Sequence, residues 1–198
     1  MKTEIWIVRH GETEWNTVGR LQGSKDISLN KIGLQQAQDC ANYLNEKPWD
    51  CLITSPLNRA YETASVIGKE LDLRIIRMDE FKEMNFGDGE GLLIHERNEL
   101  LENGQFPNQE KMIDFQQRIM QGLDKIIQSY SGQRIILVAH GKVLNELLEI
   151  LSDGALKSGT LGLVNGCINK LEYYNQIWKI KSYNDKEHLQ TYSDIGKI

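Results

Sequence analysis

The sequence predicts an α/β fold: a three-layer α/β/α sandwich on a mostly parallel sheet, with an antiparallel strand at one edge. Three observations lead there. Short apolar runs (Ile5-Trp6-Ile7-Val8, Cys51-Leu52-Ile53-Thr54 and Ile135 to Ala139) alternate with longer segments of helical period, the order that builds a parallel sheet with crossover helices. Two runs rich in aromatic and β-branched residues, Ile168 to Tyr174 and Ile177 to Tyr183, flank Asn175-Gln176 and read as a closing hairpin. The 198 residues hold no internal repeat and no low-complexity linker. One domain is expected, of a size that buries roughly 70% of the unfolded chain's surface.

In chain order, Ile5 to Val8 is a buried strand, and residues 11–30, rich in Gly, Asn, Thr and Ser, form a loop. A helix over 31–45 follows, with Asn30 as N-cap and Leu34, Ala37, Ala41 and Leu44 on one face. Residues 51–54 make a second strand. Ser55-Pro56 offers a capping hydroxyl and a proline at the first helical position, and Leu57, Ala60, Ala64, Ile67 and Leu71 continue that helix. Arg74 to Arg77 is a short third strand. Residues 84–91 hold three glycines without a period and read as loop. Met112, Phe115, Ile119, Leu123 and Ile126 stripe a helix over about 109–130, stopped by Gly132. Ile135 to Ala139 is a strand and 143–151 a short helix. The last fifteen residues are polar and are expected to fray.

Composition narrows the function classes. A formal charge of -5 lacks the basic face that nucleic acid requires, so no nucleic-acid partner is expected. Cys40, Cys51 and Cys167 include no CxxC pair and read as buried, reduced thiols rather than a zinc site or redox dithiol. No run approaches the ~18 apolar residues of a membrane span. Nothing ahead of Ile5 reads as a leader peptide. A cytoplasmic protein without a membrane partner is expected.

In doubly wound sheets, chemistry collects beyond the carboxyl ends of the strands. Two segments place polar residues there: Arg9-His10-Gly11 after the first strand and His140-Gly141 after the strand ending at Ala139. Both histidines are therefore predicted on one edge of the sheet. A guanidinium binds phosphate bidentately, a glycine lets backbone approach a ligand, and imidazole is a competent nucleophile toward phosphorus. Arg-His-Gly alone is also compatible with a turn carrying a surface histidine.

The pattern is longer than that. Arg9-His10-Gly11-Glu12-Thr13 precedes Asn16 and Gln22-Gly23; then come Ser55-Pro56, Arg59-Ala60 and Glu62-Thr63-Ala64; then Glu83, Asn85-Phe86-Gly87-Asp88 and Glu90-Gly91; then Val138-Ala139-His140-Gly141. In this order, from about Ile5 to Leu148, the chain resembles the histidine phosphatase superfamily, the phosphoglycerate mutase-like proteins. The resemblance implies that His10 attacks a phosphoryl group and becomes a phosphohistidine. It implies that Arg9, Arg59, His140 and Gly141 surround the phosphate, with Asn16, Gln22 and Gly23 positioning it. Glu83 is then the proton donor to the leaving oxygen and later the base that activates water, with Glu90 as its main rival and Asp88 beside it. One domain over 1–198 follows, with a small cap from about 84–110. No cofactor and no metal are expected, and the partner is a small phosphorylated metabolite; both monomers and homodimers occur in such families.

Several assignments stay open at this point. The family contains phosphatases and mutases. The short connection from Glu83 to His140, and Glu96-Arg97 without the His-Tyr-Gly that follows such a pair in cofactor-dependent phosphoglycerate mutases, favour the phosphatase branch. A phosphoglycerate mutase and a non-catalytic phosphate-binding protein remain the alternatives. Gly89, where related small phosphatases have Trp, and Asn108-Gln109-Glu110, where they have a Gly-Glu-Ser-like turn, concern substrate recognition. Glu62 either holds an arginine of the site or is a solvated helix residue. Lys142 either adds charge at the pocket or is exposed. His95 and His188 have no motif partners and are expected at the surface.

Overall fold

The computed structural model describes residues 1–101 and 104–193, apart from the Asn98 side chain. The elements are β1 (Thr3–Arg9), α1 (Glu14–Thr17), α2 (Lys31–Leu44), β2 (Cys51–Thr54), α3 (Asn58–Leu71), β3 (Ile75–Arg77), α4 (Ile94–Leu100), α5 (Met112–Ser129), β4 (Arg134–Ala139), α6 (Gly141–Leu151), β5 (Ile168–Tyr174) and β6 (Ile177–Asp185). The sheet runs β3-β2-β4-β1-β5-β6. Its first four strands are mutually parallel, and the hairpin extends it through antiparallel pairings of β1 with β5 and β5 with β6.

This order follows from the chain. Right-handed crossovers carry β1 to β2 and β2 to β3 in one direction, and β3 to β4 in the other. They put α2 and α3, which pack together, on one face, and α5 with α6 on the opposite face. Both faces of the central strands are thus covered, which is why β2 is buried at every position and β4 at all but its first. The hairpin turn places Asn175 and Gln176 at φ 50° and 62°, the two left-handed residues of a turn whose twist matches its strands.

The chain reverses its winding direction between β1 and β4, which opens a crevice at their carboxyl ends. Arg9 is in register with Ala139, so the next residues, His10 and His140, stand side by side.

Local departures from the expected elements have identifiable causes. The 11–30 loop contains α1, whose four residues are too few to show a period; Thr13 and Asn16 close it with a reciprocal capping box. Asn30 caps α2 as expected, accepting from Gly33 N–H at 2.8 Å. Ser55 does not cap α3. The helix starts at Asn58 after Leu57, because the Ser55 hydroxyl accepts from Leu57 N–H at 3.3 Å and meets His140 Nε2 at 2.7 Å. Residues 109–111 precede α5 rather than opening it, and α6 begins at Gly141, two residues earlier than its apolar pattern suggests.

The segment between β3 and α5 holds two 3₁₀ turns, Asp79–Phe81 and Gly87–Gly89, and α4, which the sequence left unassigned. It pairs with the 19–24 loop through Leu21 N–H to Leu92 O (3.0 Å) and Gly91 N–H to Leu21 O (2.8 Å). The expected fraying does not hold up to residue 191. Leu189 is buried, Gln190 N–H donates to Asp39 Oδ2 at 3.0 Å, and Gln36 Nε2 donates to the Thr191 carbonyl at 3.2 Å. Polar residues of α2 hold this tail, so its polarity was a docking signal; residues 194–198 lie outside the described residues. Cys40, Cys51 and Cys167 are free and buried. Among the described residues no helix is long and apolar enough to cross a membrane.

Candidate active site

His10 is 3% exposed. Its Nδ1–H donates to the Gly11 carbonyl at 2.7 Å, which fixes the tautomer and leaves the Nε2 lone pair outward. Arg59 Nε–H points at that lone pair from 3.3 Å. The ring centroids of His10 and His140 are 5.2 Å apart. Gly11 sits where a Cβ would lie 2.3 Å from the Gly33 carbonyl oxygen, so the loop after His10 can lie on the start of α2 only without a side chain there.

Arg59, from the first turn of α3, also donates through Nη1 to Lys25 O and through Nη2 to Gly23 O, both at 2.8 Å. One guanidinium thus holds the 23–25 loop and presents a donor to His10. Gly23 has φ +54°, and a Cβ there would lie 2.1 Å from Glu90 Oε1. Arg9 is fully buried and donates to the Leu163 carbonyl. Asn16 Oδ1 accepts from Thr13 N–H at 3.1 Å. Asn165, at the entry to β5, ties this loop from the other side: its Nδ2 donates to the His10 carbonyl at 3.0 Å.

Glu83 is 5% exposed. Its Oε1 accepts from Met84 N–H at 2.9 Å and its Oε2 from Lys142 N–H, in the first turn of α6, at 3.1 Å. Glu83 lines the same pocket as Arg9, His10, Asn16, Gln22 and Arg59. Gly141 is buried directly after His140. The geometry therefore brings together the predicted residues from β1, its loop, α3 and the 80s segment; His140 stands beside His10, and neither it nor Gly141 lines this pocket.

The open assignments resolve against several expectations. Glu90 does not line the pocket. Its Oε1 accepts from Ser24 N–H at 2.7 Å and Phe86 N–H at 3.2 Å, which braces two loops. Asp88 is exposed and accepts from Asn108. Glu62 holds no arginine; its Oε2 accepts from Leu29 N–H at 2.8 Å. Lys142 is neither exposed nor aimed at the site, since Nζ meets Glu146 Oε2 and Ser158 Oγ, both at 2.9 Å. His95 is exposed. His188 is half-buried and stacks on Tyr43 with centroids 5.0 Å apart. Residues not assigned to the site from the sequence are also present. Trp15, Arg20, Phe86, Ile94 and Arg97 line the outer pocket, and Ser55 holds His140. An Asn ahead of a glycine at a strand entry, Asn165-Gly166, was the available signal for Asn165.

The model of the histidine phosphatase superfamily, branch 1, matches residues 5–186. The chain belongs to this superfamily. It is 40% identical over 187 residues to the uncharacterized phosphatase PhoE of Bacillus subtilis, covering 94% of this chain and 97% of that protein. It is 32% identical over 206 residues to a metal-independent phosphoserine phosphatase of Arabidopsis thaliana, covering 96% and 84% respectively. Proteins named as probable phosphoglycerate mutases also match. Among solved structures, a phosphoserine phosphatase from Entamoeba histolytica, in complex with 3-phosphoglyceric acid, superposes with a TM-score of 0.84 at 28% identity, covering 94% of this chain and 99% of that one.

The charges of this histidine phosphatase site act on its own imidazoles. Burial, then Arg59 and Arg9, hold His10 well below its usual value near 6.5. Burial, then Arg59, His10 and Arg9, do the same to His140. Burial lowers Arg59 to about 10, so it stays cationic at neutral pH while both rings stay neutral. The consequence for stability has a definite sign. A folded-state pKa below the unfolded one favours the fold above about pH 6.5 and weakens it as pH falls toward the folded value. Each ring then steepens acid destabilisation by up to ~1.4 kcal/mol per pH unit. Urea melts between pH 7 and pH 5 check this: stability falls with pH, and His140→Asn flattens the slope.

Proposed function

We propose that the protein is a phosphatase that hydrolyses a small phosphate monoester through a phosphohistidine on His10. The observation that carries this reading is the His10 ring, neutral, pinned at Nδ1 and with Nε2 facing Arg59. Nε2 attacks phosphorus, the ester P–O bond breaks, and the leaving oxygen takes the proton of Glu83. The ionised Glu83 then takes a proton from water, whose oxygen attacks the same phosphorus. The P–N bond breaks, the lone pair returns to Nε2 and phosphate departs. Phosphoryl transfer rests on positioning and charge stabilisation, which Arg9, Arg59 and Asn16, all lining the pocket, supply. His140 Nε2 lies 2.7 Å from the Ser55 hydroxyl; when that hydroxyl donates, the ring carries its proton on Nδ1. That nitrogen is buried without a hydrogen-bond partner among the described residues, and in that tautomer it can donate to a phosphoryl oxygen.

The outer pocket accepts the organic part of the ester. Trp15, Leu21, Phe86 and Ile94 give it apolar walls, and Arg97 lines it with a buried Nε that lacks a hydrogen-bond partner among the described residues. A short acyl or alkyl chain with an acidic group suits that lining, in line with the phosphoserine phosphatases among the relatives. Water rather than substrate takes the phosphoryl group, as the phosphatase named among the relatives at 40% identity supports.

The test supplies 3-phosphoglycerate with 2,3-bisphosphoglycerate as primer and measures both free phosphate and the 2-phospho isomer. Phosphate release should dominate; efficient isomerisation with little phosphate would replace this reading with a mutase. Because arginines supply the charge, a chelator should leave turnover unchanged in the same assay.

A further inference from the structure

The segment that carries Glu83 lies between the 3₁₀ turns Asp79–Phe81 and Gly87–Gly89, outside the sheet. A proton donor on irregular backbone needs something to hold it, because a misplacement of about 1 Å can cost ~100-fold in rate. One side chain on α5 gathers this backbone. Arg118 Nη1 donates to the carbonyls of Glu80 (2.8 Å) and Lys82 (2.7 Å), and Nη2 donates to the carbonyl of Glu83 itself (3.1 Å). The same guanidinium grips Glu110 with Nε to Oε1 at 2.6 Å and Nη2 to Oε2 at 2.9 Å. Glu110 closes the ring by backbone: its N–H donates to Asn85 O at 2.8 Å, and its Oε2 accepts from Asn85 N–H at 3.2 Å. The guanidinium also covers the face of buried Phe115, 4.8 Å from the ring centroid.

We propose that Arg118, oriented by Glu110, is a positioning residue for the proton donor: it fixes the 80–85 backbone so that the Glu83 carboxyl meets the leaving oxygen. The proposal rests on the reading of Glu83 as that donor. Arg118 does not line the pocket of His10, so it acts through Glu83. A planar fork is required, because three carbonyls and a carboxylate are met from three nitrogens at once; a lysine offers a point charge on a flexible stem and cannot reproduce that.

The experiment compares kcat/KM for p-nitrophenyl phosphate, whose leaving group departs as a stable anion, with phenyl phosphate and phosphoserine, whose leaving groups need a proton. All three rates come from one preparation, so their ratios are independent of the fraction folded. Arg118→Lys should lower the ratio of phenyl phosphate or phosphoserine to p-nitrophenyl phosphate by ~10-fold or more. Glu110→Gln, which conserves volume and one acceptor, should lower it less. Equal loss on all three substrates, or no loss, would make Arg118 a scaffold residue and overturn the proposal. If Arg118→Lys does not fold, the ratio in Glu110→Gln decides: unchanged overturns the clamp, lowered supports it. Glu83→Gln is the reference. If it leaves the ratio unchanged, the donor reading fails and the clamp with it; if it lowers the ratio and the clamp variants do not, the clamp alone fails.

Discussion

Replacing His10 with alanine should abolish the phosphoenzyme and lower kcat by ~10⁴-fold or more, the scale on which losing a covalent nucleophile is felt. At 1.36 kcal/mol per tenfold, that is about 5 kcal/mol of transition-state stabilisation. The neighbouring donors should survive the change. Arg59 keeps its bonds to the Gly23 and Lys25 carbonyls, and Arg9 keeps its bond to the Leu163 carbonyl. Inorganic phosphate should therefore still bind to His10→Ala, with affinity within about an order of magnitude of wild type. That separation of binding from turnover distinguishes an enzyme from a protein that only holds phosphate. Brief incubation with a labelled ester followed by denaturation supplies the readout. Wild type should carry label that is stable to base and lost in acid, as expected of a phosphoramidate, and the variant none. Equal turnover in His10→Ala would remove the nucleophile from this reading.

How much of this site could be read from the chain depends on how far each contact reaches. His10 and His140 follow directly after buried strands, and adjacent parallel strands bring their next residues level, so alternation and strand ends sufficed to place them on one edge. Ser55-Pro56 carried the residues of a helix start, yet the hydroxyl is drawn off by His140, 85 residues away; local propensity cannot anticipate a partner from another strand. Glu62 and Lys142 were read as candidates near the phosphate because their neighbours in sequence are there. Helix geometry sends Glu62 to the Leu29 amide and the Lys142 ammonium to Glu146, while the Lys142 backbone N–H reaches Glu83. Backbone donors have no residue signature, so that contact was invisible. The tail is ordered for a related reason: polar residues fray when no partner exists, but Asp39 and Gln36 are buried polar side chains of α2 that need one. Arg97, Trp15 and Arg118 act across the fold, from positions whose period or charge suits an ordinary surface as well.

Glu83→Gln should separate the two halves of the reaction. With an alkyl or phenyl ester the donor is needed at once, and kcat should fall by ~10²- to 10⁴-fold, the range for losing a general acid. With p-nitrophenyl phosphate the first half needs no proton, so His10 should still be phosphorylated at a rate near wild type. The second half still needs a base to activate water, and glutamine cannot take a proton. Phosphohistidine should therefore accumulate: a rapid release of about one equivalent of p-nitrophenol per site, then slow turnover, the burst that marks a trapped covalent intermediate. Glutamine keeps the shape of glutamate and a carbonyl oxygen to accept from Met84 or Lys142 N–H, so the pocket should persist. Glu90→Gln is the control. Its carboxylate braces Ser24 and Phe86 from outside the pocket, and its loss of charge should lower all substrates alike and give no burst. Stopped-flow absorbance with both variants reads the outcome directly. A burst in Glu90→Gln and none in Glu83→Gln would move the acid and base to Glu90; the reverse supports Glu83, which lines the pocket of His10.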